Sequence, residues 1–126
     1  MGQVKVEITV QNLLDKSKVE TTMAIVDTGA TFLCLPRDMV ERLNLEFARE
    51  IEVRTTNGKA KRRIYKGVEL TIKDRSATVD VVELDNSLPP LVGYIPLEAM
   101  DWVVYPDKLD IFANPEHNNE YMIDLL

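Results

Sequence analysis

One carboxylate, one hydroxyl and one glycine fall together at Asp27-Thr28-Gly29, followed by Ala30 and Thr31, between the apolar runs of residues 24–26 and 32–35. Apolar runs of that length read as buried strands, so the polar residues belong to a turn held by core on both sides. A turn anchored in this way holds a carboxylate rigidly, as a group that takes a proton from water must be held. Gly29 allows positive φ or a close approach of another group, and Thr28 adds a hydroxyl that can donate and accept. An aspartate in such a turn can also do no more than cap its own backbone. The tripeptide alone is compatible with both roles, and the elements around it have to decide.

Before the turn, Val4, Val6, Ile8 and Val10 alternate with Lys5, Glu7 and Thr9. That period of two gives one buried and one wet face, the mark of a strand. Residues 12–18 supply turn chemistry, and 19–26 return as a second strand that delivers Asp27 at its end. After the turn, Met39, Val40 and Leu43 stand at helical spacing behind Pro36, with Asn44 as a stop. From Ile51 onward the chain reads as strand and turn. Asn57-Gly58 between extended runs is a strong hairpin signal. Val68, Leu70 and Ile72 alternate, residues 74–76 turn, and Val79, Val81 and Val82 return. Residues 86–90 form a polar, proline-rich break before Leu91-Val92-Gly93. Residues 102–105 and 109–112 flank Pro106-Asp107 as a further hairpin, 114–120 read as loop, and 122–126 as a last strand.

The chain has 126 residues, 45% apolar and 29% charged, which fits one globular domain able to bury its own core. Its net charge of −6 argues against nucleic acid or an anionic membrane as the main partner. The basic run Lys59-Ala60-Lys61-Arg62-Arg63 reads as the solvated edge of the hairpin rather than a phosphate patch. A single cysteine, Cys34, allows no internal disulfide and fits a reducing compartment, and its apolar neighbours make it a small buried hydrophobe. The one histidine, His117, lies in a polar, Asn-rich stretch, which argues against both a thiol–imidazole pair and a zinc site. There is no run apolar and long enough to span a bilayer and no secretory leader pattern, and Val6 breaks the myristoylation motif that Met1-Gly2 would begin. A cytoplasmic location without metal or cofactor is the expectation.

Asp27-Thr28-Gly29-Ala30 between apolar strands resembles the active-site signature of the retropepsin-like aspartic proteases, which include retroviral proteases and short single-domain bacterial relatives. A second mark of that family, two apolar residues and a glycine before a short helix, matches Leu91-Val92-Gly93 followed by Pro96-Leu97-Glu98-Ala99-Met100. The resemblance covers about residues 3–113 and leaves 114–126 as a tail of one domain. It implies an all-β, closed, barrel-like antiparallel fold with one or two short helices. It further implies Asp27 as catalytic, Thr28, Gly29 and Ala30 as the active-site loop, Leu91, Val92 and Gly93 as its support, and Thr56, Asn57, Gly58 and Lys59 as a substrate-covering flap. Two positions depart from the retroviral pattern: Thr31 stands where an aspartate is usual, and Tyr94 where an arginine is usual.

Aspartic proteases use two carboxylates sharing one proton, because like charges about 3 Å apart cannot both ionise. Asp-Thr-Gly occurs once here, so the resemblance implies a homodimer about a two-fold axis that hydrolyses extended peptides with an Asp27 pair and an activated water. The alternatives are a non-catalytic dimeric module of the same fold that binds extended peptide, and a monomeric β domain with an incidental turn.

Overall fold

The computed structural model describes residues 3–125. Strands β1 (Lys5–Asn12) and β2 (Val19–Val26) form the first hairpin, and β3 (Leu33–Pro36) leads into helix α1 (Arg37–Arg42). Strands β4 (Phe47–Thr55), β5 (Gly58–Ile72) and β6 (Arg75–Leu84) follow, then the two-residue β7 (Leu91–Val92) and helix α2 (Tyr94–Ala99). A separate ribbon of β8 (Trp102–Tyr105) and β9 (Asp110–Ala113) completes the regular structure.

The main sheet runs β1-β2-β7-β3-β6-β5-β4, and β1 also pairs with β5, so six strands close a ring and β4 hangs outside it on β5. The fold is all-β, with two short helices, in agreement with the sequence. The pairing is mixed rather than purely antiparallel: β7 runs parallel to β2, and β3 parallel to β6. Strand β7 inserts between β2 and β3, parallel to the former and antiparallel to the latter.

Inside the ring the alternating strands do as their period demands. Ile8 and Val10 of β1, Val68, Leu70 and Ile72 of β5, and Val81 of β6 are buried together with Leu33, Leu35 and Val92. Met39, Val40 and Leu43 close one end, and Trp102 and Ile111 of the ribbon join the same core. Asn44 takes a φ of 52° and ends α1 as expected. The carbonyls freed there are met by the buried Asn12, whose Nδ2 donates to Leu43 O and Asn44 O at 2.9 and 3.1 Å. A smaller cluster of Cys34, Ile64 and Val82 packs with Phe32, Ile51 and Leu91.

The basic run keeps its expected place: residues 59–63 of β5 pair with β4 alone, since β6 joins β5 only from Ile64, and so form an open edge of the hairpin. Two expectations change. The strand before the Asn57-Gly58 turn starts at Phe47, four residues earlier than its apolar pattern, because pairing with the long β5 carries polar residues along. The last strand read over 122–126 is absent among the described residues, and Leu126 lies outside them. There the Met122 N–H donates to the Asp101 carboxylate at 3.2 Å instead of joining a ladder.

Candidate active site

Strands β2 and β3 would be neighbours across a tight turn were β7 not between them. The connecting residues 27–32 must therefore arch over the end of β7, and this arch carries Asp27-Thr28-Gly29. The Asp27 N–H donates to Val92 O at 3.0 Å, and Ala30 N–H closes the turn on Asp27 O at 3.0 Å. On the far side Gly93 N–H donates to Phe32 O at 2.9 Å, Tyr94 N–H to Ala30 O at 2.9 Å and Ile95 N–H to Thr31 O at 3.0 Å. The arch is thus tied to β7 and the first turn of α2 by backbone bonds at both ends.

This contact explains the glycine at 93. A Cβ there would lie 2.5 Å from Phe32 O, 2.6 Å from Ala30 O and 2.7 Å from Thr31 C, distances that backbone atoms cannot accept. Leu91 and Val92 set the register, pairing with Ile25 and Val26 on one side and with Cys34 and Leu33 on the other. The three residues singled out downstream therefore do meet the Asp27 turn, as a strand and a close approach beneath it.

Asp27, Thr28 and Gly29 are exposed and Ala30 is half-buried. The Asp27 Oδ1 accepts the Gly29 N–H at 2.9 Å. The local cap that the sequence also allowed is therefore present. It fixes the carboxylate's orientation and engages one oxygen. Gly29 does not use positive φ; its value lies in closeness, since a Cβ would come within 3.1 Å of Asp27 Oδ1. Cys34 sits behind the turn, where burial first and the Asp27 charge second push its thiol up to about 11. A thiol so raised is a packing group rather than a nucleophile.

The hairpin of β4 and β5 turns at Thr56-Asn57, with Thr55 paired to Gly58. Only Gly58 takes positive φ, at 107°, so the turn is not the one in which both Asn and Gly are left-handed. Thr55 Oγ1 clasps it, donating to Gly58 O at 2.8 Å and accepting the Asn57 N–H at 3.2 Å. Thr56, Asn57, Gly58 and Lys59 are all exposed at its tip. Thr31 and Tyr94, the two departures from the retroviral pattern, are exposed as well.

A model of the aspartyl protease family matches residues 6–95, from β1 into α2. The chain belongs to the aspartyl protease family. The match spans both the Asp27 arch and the strand beneath it. No match was found among curated proteins. Aspartic peptidase chemistry draws on carboxylates and water alone. Among the described residues no group of three or more His, Cys, Asp or Glu is placed to hold a metal ion, and no helix is long and apolar enough to cross a membrane.

Sequence reasoning missed a second polar centre, built at the chain's end. His117 Nδ1 lies 2.6 Å from Asp101 Oδ2 and its Nε2 3.1 Å from Asp124 Oδ1. Arg75, read as part of a turn, is buried and donates through Nη1 to Met100 O and Asp101 O and through Nη2 to Asn119 O. Its guanidinium stacks 4.3 Å from the Trp102 ring. These contacts join β6, α2 and the tail, and nothing in local composition announces them.

Proposed function

We propose that this family member is a homodimeric aspartic endopeptidase of retropepsin type, one domain over 1–126 with the arch at its two-fold axis. The observation that carries the reading is an exposed carboxylate, Asp27, held by Gly29 N–H on an arch whose backbone is tied down at both ends. One Asp27 from each copy forms the dyad, and Thr28 braces the two arches against each other. The ionised oxygen takes a proton from a water held between the carboxyls, and that water attacks the peptide carbonyl. The protonated carboxyl donates to the carbonyl oxygen, giving a tetrahedral diol. The proton then passes to the leaving nitrogen as the C–N bond breaks, so the pair titrates as a unit. The hairpin at Thr56-Asn57-Gly58-Lys59 covers an extended peptide, and Leu91, Val92 and Gly93 hold the floor.

The test pairs mass with chemistry. Light scattering at micromolar concentration and mildly acidic pH is expected to give about 29 kDa, twice the 14.4 kDa of the chain. Asp27→Asn, which keeps size and removes ionisation, is expected to abolish hydrolysis of a peptide library while the dimer persists. A monomer that cleaves, or cleavage products shared by wild type and variant, would overturn the reading.

A further inference from the structure

The chain is acidic as a whole, yet one element is not. Between Phe47 and Tyr65, six cations (Arg49, Arg54, Lys59, Lys61, Arg62 and Arg63) meet two carboxylates, Glu50 and Glu52, so the β4–β5 hairpin carries +4. With a net charge of −6 overall, the rest of the chain carries −10. Of the nine cations elsewhere, four are salt-bridged: Arg37 to Glu83, Arg42 to Glu20, Lys66 to Glu46 and Lys73 to Asp110. Among the described residues none of the six hairpin cations makes a salt bridge.

Strand register divides the six between the hairpin's two faces. Ile51 pairs with Arg62 and Val53 with Ala60, and all four are half-buried, so Arg62 lies on the face turned towards the body. Glu50 with Arg63 and Glu52 with Lys61 lie on the other, exposed face. Arg62 donates through Nη1 to Lys61 O at 2.9 Å, a contact that leaves its charge uncompensated. Where the hairpin departs from β6 it opens a cavity of about 190 Å³, whose lining includes Lys61, Arg62 and Arg63 opposite Glu83 and Asp85. Glu83 is already engaged by Arg37 and by the Tyr65 hydroxyl.

We infer that the hairpin selects acidic peptides: it draws in substrates with Asp or Glu flanking an apolar cleavage site and holds them by charge on β5. This rests on the hairpin being the cover of the Asp27 cleft. A polyanion such as nucleic acid has the right sign, but it would also face the −10 body. A short acidic peptide lying along the hairpin places few charges there.

The probes are labelled decapeptides with one apolar centre and flanks of Asp/Glu, Asn/Gln or Lys, beside a labelled oligothymidylate of the same length. Binding is measured on Asp27→Asn protein and cleavage on wild type. The acidic peptide is expected to bind about tenfold more tightly than the uncharged one at low salt, and the gap should narrow in 0.5 M NaCl as screening shortens. Lys61→Gln with Arg62→Gln should bring the ratio to within about threefold with an unchanged unfolding midpoint. Equal affinity for acidic and uncharged peptides, no binding of either, a ratio insensitive to salt, or oligothymidylate bound as tightly as the acidic peptide would each overturn the inference. If the acidic preference is found and wild type cleaves nothing, the charge inference stands and the peptidase reading falls. Cleavage without acidic preference has the opposite meaning.

Discussion

At the residue scale the molecule depends on distances of a few tenths of an ångström. Gly93, beneath the Asp27 arch, and Gly58, at the tip of the β4–β5 hairpin, are needed for different reasons. At Gly93 the obstacle is backbone: three atoms of the arch lie within 2.7 Å of where a Cβ would be. At Gly58 nothing lies within 4 Å, and the obstacle is a φ of 107°. Gly93→Ala must push the arch off β7, at a cost of about 3 kcal/mol, the upper end for overpacking. It should displace Asp27 as well, since Asp27 N–H is bonded to the adjacent Val92. Gly58→Ala should cost about 1 to 2 kcal/mol of strain at the hairpin tip and leave the arch in place. Urea unfolding and peptidase assays on the two variants are expected to separate: activity lost in the first, reduced in the second. A Gly93→Ala protein with wild-type stability would refute the close approach. Asp27 and Gly93 were legible in the sequence because a carboxylate in a turn and a glycine after an apolar pair are local patterns. That Gly93 packs beside the Asp27 loop was implied by the family resemblance alone, and the particular carbonyls of residues 30 and 32 were not legible, because the contact is made across some sixty residues of chain.

Elements tell the same story of local legibility and distant surprise. Strands β1 and β2, the arch and helix α1 follow directly from alternation, turn residues and helical spacing, and their bounds differ little from the sequence reading. What alternation could not show is that β7, two residues long, sits between β2 and β3 and creates the arch. Arg75 is the clearest miss. A charged residue beside Asp74 and Ser76 reads as turn, yet it opens β6 and is buried, because the carbonyls at the end of α2 need donors. Arg75→Leu would leave Met100 O and Asp101 O without that donor and release Asn119 O, a loss of about 3 kcal/mol. Trp102 fluorescence should change with it, since the guanidinium stacks on that ring. Arg42→Leu offers the contrast: its pairing with Glu20 is exposed, and breaking it should cost under about 1 kcal/mol. Equal destabilisation of the two variants would mean that burial of Arg75 carries no weight.

At the scale of the whole molecule, the tail's attachment makes stability a function of pH. Among the described residues, 121–125 have no strand partner and are held by side chains: Asp101 accepts the Met122 N–H, His117 bridges Asp101 and Asp124, and the Tyr121 hydroxyl donates to Ala99 O at 2.7 Å. The hydrogen bond to Asp101 foremost, and Asp124 after it, outweigh burial and raise the His117 pKa above its ordinary value. Burial works to raise the Asp101 pKa, but the bonds from His117, Asn114 and the Met122 N–H together hold it below the usual carboxylate range. A raised histidine contributes stability that is complete below its unfolded pKa of about 6.5 and is lost as pH rises through the higher folded value. A lowered carboxylate contributes above its unfolded pKa of about 3.9, and that contribution is lost as pH falls through the lower folded value. The two windows overlap from about pH 4 to pH 6.5, where the bridge holds most firmly. The surrounding charges are Asp101, Asp124, Glu98 and the cation of Arg75, and of these Asp124 is largely exposed and screened. His117→Gln keeps a donor and removes the charge. Its urea midpoint should match wild type more closely at pH 8.5 than at pH 5.5, and protease nicking beyond residue 118 should be faster in the variant at pH 5.5. Wild-type stability that rises from pH 5.5 to 8.5 by the same amount in both proteins would show that His117 does not hold the tail.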